Sequence, residues 1–119
     1  MPIKKEKRVI VKSNPPVLII VVIEGKKILS KMDCVIKEEI KGITISDIIC
    51  SKNNKGYGSR MMSALIEFAR NRKYDYIDGW LSKIDLDHKD RLLYFYRKFG
   101  FKIILCDDGM KYANIRLCL

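Results

Sequence analysis

The sequence is poor in the residues that build metal clusters, disulfide frameworks and membrane spans. One histidine, His88, and four cysteines, Cys34, Cys50, Cys106 and Cys118, are spread over 119 residues without a C-x-x-C pair. That spacing suggests neither a zinc site nor a set of covalent staples, so no metal is expected and the cysteines read as small apolar fillers of a reducing compartment. No linker and no internal repeat divides the chain. With 48% hydrophobic residues, 119 positions suffice for one core and not two, so residues 1–119 read as a single domain. The strongest apolar run, Val17 to Ile23, follows a basic head and mimics a signal peptide, yet it is too short to span a bilayer and lacks a small-residue cleavage site. It reads as a buried strand, and the protein as cytoplasmic with no membrane partner.

Acid is scarce as well: 14 Asp and Glu stand against 24 Lys and Arg, a formal charge of +10. Such a surplus steers phosphorylated or polyanionic ligands and carries no information about fold. The cations are distributed, with Lys4, Lys5, Lys7, Arg8 and Lys12 at the start, Lys52, Lys55 and Arg60 in the middle, and Arg70, Arg72 and Lys73 beyond. Without a basic tail, most of them read as a solvated face.

The first half is rich in strand signals. Val9 to Val11 is β-branched, Asn14-Pro15-Pro16 breaks the chain, and Val17 to Ile23 is a continuous branched run of the central-strand kind. Glu24-Gly25-Lys26-Lys27 turns into Ile28 to Ile36, and Lys41-Gly42 into Ile43 to Cys50, which predicts an antiparallel meander. After Ser59, Met62, Leu65, Ile66 and Ala69 recur at helical spacing while Glu67, Arg70 and Asn71 face away. Asp75 to Leu81 returns as a short aromatic strand. In DHKDRLLYFYRKFGF, Asp87 is the expected helix cap with Asp90 at the third position, Leu92, Phe95, Tyr96 and Phe99 form a stripe, and Gly100 is the stop. Lys102 to Cys106, the turn Asp107-Asp108-Gly109 and Met110 to Leu119 complete a hairpin. The predicted order is ββββ-α-β-α-ββ, an α+β domain on a mixed, mostly antiparallel sheet.

Between the fourth strand and the first helix stands SKNNKGYGSRMM, with Gly56 and Gly58 separated by one residue. Strand, short loop, Gly-x-Gly and helix start together gather free backbone N–H groups and the positive end of a helix dipole at one spot, which suits phosphate. The spacing excludes a P-loop, because Ser59-Arg60 rather than Lys-Ser/Thr follows the second glycine, and a dinucleotide fold, because a third glycine and alternating parallel strands are missing.

NNKGYGSRMM followed later by YFYRKFGFK resembles the GCN5-related N-acetyltransferase (GNAT) family, with its Gln/Arg-x-x-Gly-x-Gly/Ala signature and its later helix ending in Tyr-x-x-x-Gly-Phe. The resemblance is strong from residue 43 onward and upstream rests on strand order. It implies acetyl-CoA as co-substrate and an amine acceptor, a small molecule or a protein. It further implies backbone contacts to the pantetheine arm from Ile48 and Cys50, and a pyrophosphate wrapped by the amides of Asn53, Asn54, Lys55, Gly56, Tyr57, Gly58 and Ser59. Tyr96 takes the position that protonates the departing thiolate. The sequence departs from the family at Asn53, where Gln or Arg is usual, and at Lys89, where Asn is common. Only Ser13-Asn14-Pro15-Pro16 replaces the family's helices between the first two strands, so the acceptor side is expected to be open or completed by a second chain as a homodimer. Asp47, Glu38, Glu39, Asp78 and His88 are the candidates for a base. A non-catalytic CoA sensor is the competing reading. A nucleic-acid binder, suggested by charge alone, has neither an aromatic-rich strand motif nor a helix-turn-helix pattern behind it.

Overall fold

β-Branched runs separated by Gly, Asn and Pro cannot pack as helices without losing side-chain freedom, and here they form strands. In the computed structural model, which describes residues 6–50 and 56–119, the elements are β1 (Lys7–Asn14), β2 (Val17–Glu24), β3 (Lys27–Lys37), β4 (Gly42–Cys50), α1 (Tyr57–Asn71), β5 (Tyr76–Ser82), α2 (Lys89–Lys98), β6 (Lys102–Asp108) and β7 (Lys111–Cys118). This is the order expected from the sequence. The strands make one seven-stranded sheet in the order β1-β2-β3-β4-β5-β7-β6. All neighbours are antiparallel except β4 and β5. No helix among the described residues is long and apolar enough to cross a membrane.

Cross-strand partners share a face of the sheet, so the register sorts the side chains. The line Ile36, Ile43, Ile77, Leu117 and the line Leu18, Cys34, Ile45 lie on the face that meets both helices. Tyr57, Met61, Met62, Leu65 and Ala69 of α1, and Leu93 and Tyr96 of α2, are buried in the same cluster. Cys34 belongs to this core, and its thiol is pushed up to about 12 by burial and by neighbouring Asp33, which makes it inert. The opposite face carries Val17, Asp33, Val35, Thr44, Asp47, Ile49, Asp78, Trp80 and Arg116 in register, and neither helix covers it. The molecule is accordingly a slab measuring 54 × 35 × 22 Å.

Two local expectations are corrected. α2 is capped at His88 without a side-chain bond, not at Asp87. A 3-10 segment, Lys83–His88, precedes it, because Ser82 Oγ accepts the Ile84 N–H at 3.2 Å and the Lys83 N–H is held by the Met110 carbonyl at 2.7 Å. Coiling thus begins upstream, and Asp87 already lies inside a turn. In the last hairpin β6 continues through Asp108, and the connection is Gly109-Met110. The end of α2 follows expectation: the Gly100 N–H bonds the Arg97 carbonyl at 2.9 Å and the Phe101 N–H bonds the Tyr96 carbonyl at 3.1 Å, the paired bonds of a Schellman stop.

At the join of β4 and β5, a Cβ on Gly42 would stand 2.2 Å from Tyr76 Cζ. Only glycine lets the Tyr76 ring lie across β4, where its other face receives the Arg116 guanidinium at 4.1 Å.

Candidate active site

The parallel pairing of β4 with β5 lasts for three residues, Gly42 to Thr44 against Tyr76 to Asp78. Beyond it the strands part. On β4 the cause is a bulge: Cys34 pairs with Ile45 but Asp33 pairs with Asp47, leaving Ser46 as an extra residue that bends the strand. β5 still passes close to the bulge, since a Cβ on Gly79 would lie 3.3 Å from the Ile45 carbonyl oxygen. The β5-facing edge of β4 from Ile45 to Cys50 therefore has no strand partner among the described residues, and its backbone groups face a cavity of about 850 Å³.

One end of that cavity is the start of α1. Gly56 holds φ 76°, a left-handed conformation that suits glycine, and the helix begins with neither a capping side chain nor an acidic residue in its first turn. Its positive end is therefore uncompensated from within. Lys98, from the last turn of α2, reaches across and donates from Nζ to Ser59 Oγ at 2.8 Å, the same ammonium standing 5.5 and 5.4 Å from the Phe95 and Phe99 ring centroids. Helix dipole and ammonium converge on one place, a physical setting for an anion. A Cβ on Gly58 would stand 3.4 Å from the Phe95 ring, in van der Waals contact with it.

Of the residues implied by the sequence, Ile48, Cys50, Gly56, Tyr57, Gly58, Ser59 and Tyr96 all line this cavity. Asn53, Asn54 and Lys55 lie outside the described residues. Tyr96 is only 5% exposed, and its ring packs edge-on against Phe95 and Phe101 at centroid distances of 5.2 and 5.4 Å. Burial pushes its phenol well above the ordinary tyrosine range, and the nearby Tyr112, Asp85 and Cys34 add to that shift.

The base candidates separate. Glu38 accepts the Tyr74 hydroxyl at 2.5 Å beside the short 3-10 segment that also contains Glu39, and neither lines the cavity. Asp78 is engaged by Thr44 Oγ1 at 2.6 Å and by Arg116 at 3.8 Å. Asp47 and His88 line the cavity. Sequence reasoning missed Asp85, Trp80, Tyr94 and Lys98, which line it too. Lys98 had a signal, standing three residues after Phe95 on the same side of a helix. Asp85 had none, because the 3-10 segment that presents it has no periodicity.

The profile of the acetyltransferase (GNAT) family matches residues 7–101, most of the chain. The chain belongs to that family. Among solved structures this GNAT chain is similar in fold to a Bacillus subtilis acetyltransferase in complex with CoA, with a TM-score of 0.72 at 13% identity, covering 96% of this chain and 99% of that one. It is similar also to the PaiA N-acetyltransferase of Thermoplasma acidophilum in complex with coenzyme A, with a TM-score of 0.71 at 11% identity, covering 87% of this chain and 62% of that one. In sequence it is 38% identical over 55 residues to the uncharacterized protein YocC of Bacillus subtilis (strain 168). That match takes in 46% of this chain and one third of the relative's length, 33%.

Proposed function

We propose that the protein transfers an acetyl group from acetyl-CoA to an amine. The observation that carries this reading is the parting of β4 from β5 directly beneath the start of α1, with Tyr96 in the cavity so formed. The unpartnered edge of β4 offers Ile48 and Cys50 backbone groups to the amide-rich pantetheine arm. The first amides of α1 with Lys98 suit the pyrophosphate. A neutral amine nitrogen attacks the thioester carbonyl carbon, and the Ile48 N–H is a donor for the oxyanion that forms. When the carbon–sulfur bond breaks, the Tyr96 O–H gives its proton to the thiolate. Because burial raises its pKa, the phenol stays protonated at working pH and yields its proton only as charge develops on sulfur. Asp47, at the cavity wall, is the group that relays the ammonium proton to water.

Acetyl-CoA bound only by the native state should raise stability by RT ln(1 + [L]/Kd), about 2.7 kcal/mol at a hundredfold excess over Kd. A thermal scan reads this directly, and release of free thiol with an amine panel reads turnover. An unshifted melting curve with millimolar acetyl-CoA would remove the proposal. Binding without turnover on any amine would leave the sensor reading, for which the uncovered sheet face is the supporting observation.

A further inference from the structure

The cavity is lined from both sides of the sheet. Ile48, Cys50 and Tyr96 reach it from the helix face, while Asp47, Ile49 and Trp80 belong to the opposite face. The gap between β4 and β5 is thus a slot with two mouths. The helix-side mouth holds the α1 terminus and Lys98. The other opens onto bare sheet.

That second mouth has a definite chemistry. Ile49 and Trp80 stand 57% and 46% exposed on its two sides, and Val35 and Val17 extend the apolar surface across β3 and β2. Asp33 and Asp47 are direct cross-strand partners on this face. Asp33 is paired with Lys31 at 3.4 Å, whereas Asp47 has no ion-pair partner among the described residues. Cations and carboxylates are mixed on this face, Lys31 standing opposite Ile49, and Asp47 is the carboxylate at the rim of the slot that is open to a cation from outside. A small ligand is ordinarily held by a concave site that buries most of its surface. A sheet face that neither helix covers offers a small amine little more than one carboxylate, because the Lys111 ammonium already stands 5.4 Å from the centroid of the Trp80 ring.

We infer that the acceptor is a polypeptide, whose backbone and apolar side chains lie on the uncovered face of β2, β3 and β4 while its ammonium group enters the slot beside Asp47. The inference rests on the acetyltransferase reading above. In the reaction the ammonium first loses one proton to solvent past Asp47. Its nitrogen then bonds the acetyl carbon and gives a second proton to solvent, the carbon–sulfur bond breaks, and Tyr96 protonates the sulfur and recovers a proton from solvent. Amide, CoA thiol and one proton are the products. A lysine side chain and a chain N-terminus present the same ammonium, and the face accepts either.

The test uses the full chain with acetyl-CoA, following thiol release and product mass. Three acceptor sets are compared: ten-residue peptides with a free N-terminus and no lysine, N-blocked peptides with one lysine, and the isolated amines lysine amide, spermidine and tyramine. One peptide set should show a KM at least tenfold below every isolated amine. Asp47→Asn should raise that peptide KM at least tenfold while calorimetry gives an unchanged Kd for acetyl-CoA. Val35→Asp, remote from the donor end, should raise the peptide KM several-fold and leave the KM of spermidine as it was. Isolated amines acetylated with a KM equal to or below that of the peptides would overturn the inference. So would a stable dimer in sedimentation that Val35→Asp dissolves, since a second copy would then own the face, and so would acetyl-CoA binding with no acceptor modified. Absence of acetyl-CoA binding would instead remove the acetyltransferase reading itself.

Discussion

Replacing Tyr96 by Phe deletes one oxygen and its proton from the middle of the cavity. The ring is 5% exposed and wedged edge-on between Phe95 and Phe101, contacts that phenylalanine keeps. No void is opened, so the stability change should be within about 1 kcal/mol, the size of one hydrogen bond. Donor affinity should hold too, because the ground-state thioester carries no charge on sulfur for the phenol to neutralise. The transition state does carry it. Loss of a positioned acid costs roughly 10²- to 10⁴-fold in kcat, which is about 3 to 5 kcal/mol of barrier. Stability and catalysis therefore diverge by several kcal/mol in one variant. Stopped-flow thiol release with a saturating acceptor measures kcat, calorimetry measures the acetyl-CoA Kd, and urea unfolding measures stability. If Tyr96→Phe keeps full kcat, the proton comes from water and the assignment fails. If kcat falls only in proportion to the unfolded fraction, the residue is core and nothing more.

Gly58→Val should weaken acetyl-CoA binding more than tenfold in calorimetry; because the new side chain also meets the Phe95 ring, a loss of about 1–3 kcal/mol in stability should accompany it. Equal affinity in the folded variant would reduce the loop to a turn. Gly42→Ala, whose Cβ would sit 2.2 Å from Tyr76 Cζ, should cost about 1–3 kcal/mol in urea unfolding, and a Gly42→Ala/Tyr76→Ala double variant should recover part of it. Alkaline pH should unfold the protein. The folded-state pKa values of Cys34 and Tyr74 are raised from 9.0 and 10.0 to about 12, so the native state holds these protons more tightly, and the resulting stability is complete below pH 9 and lost as pH rises through 12. Tyr74→Phe, which also loses the bond to Glu38, should flatten the slope of melting temperature against pH in that window, and an unchanged slope would count against the assignment.

Much of this architecture was legible because local and tertiary preferences agree. Val17 to Ile23 is branched enough to be a central strand and became one, and Met62, Leu65 and Ala69 repeat as a helix face should and are buried. Gly56, Tyr57, Gly58 and Ser59 could be placed at a helix start from order alone, since strand, glycines and helix start fix where free amides gather. The sequence did not disclose the extra residue at Ser46, because a bulge in β4 is defined only against the register of β3. Nor could it say which carboxylate reaches the cavity. Asp47 and Asp78 look alike on paper, but Thr44 and Arg116 engage the second and leave the first. Asp87 misled because cap rules presume a clean entry into a helix, and here Ser82 starts the coil earlier.

Among the described residues, three residue pairs, extended by the Asp75 N–H to Lys41 carbonyl bond at 2.7 Å and by the Thr44–Asp78 side-chain bond, stitch β1–β4 to β5, β7 and β6. Mechanically the sheet is two plates sharing a short seam, with α1 as the strap across it. An occupant of the gap would replace the missing rungs, so its binding and the rigidity of the two plates are one quantity. Amide hydrogen exchange should register this: filling the gap would slow exchange along β4 from Ile45 to Cys50 and along β5 from Gly79 to Ser82 together. The outer strand β1, at the far margin of its plate, would keep its own rate.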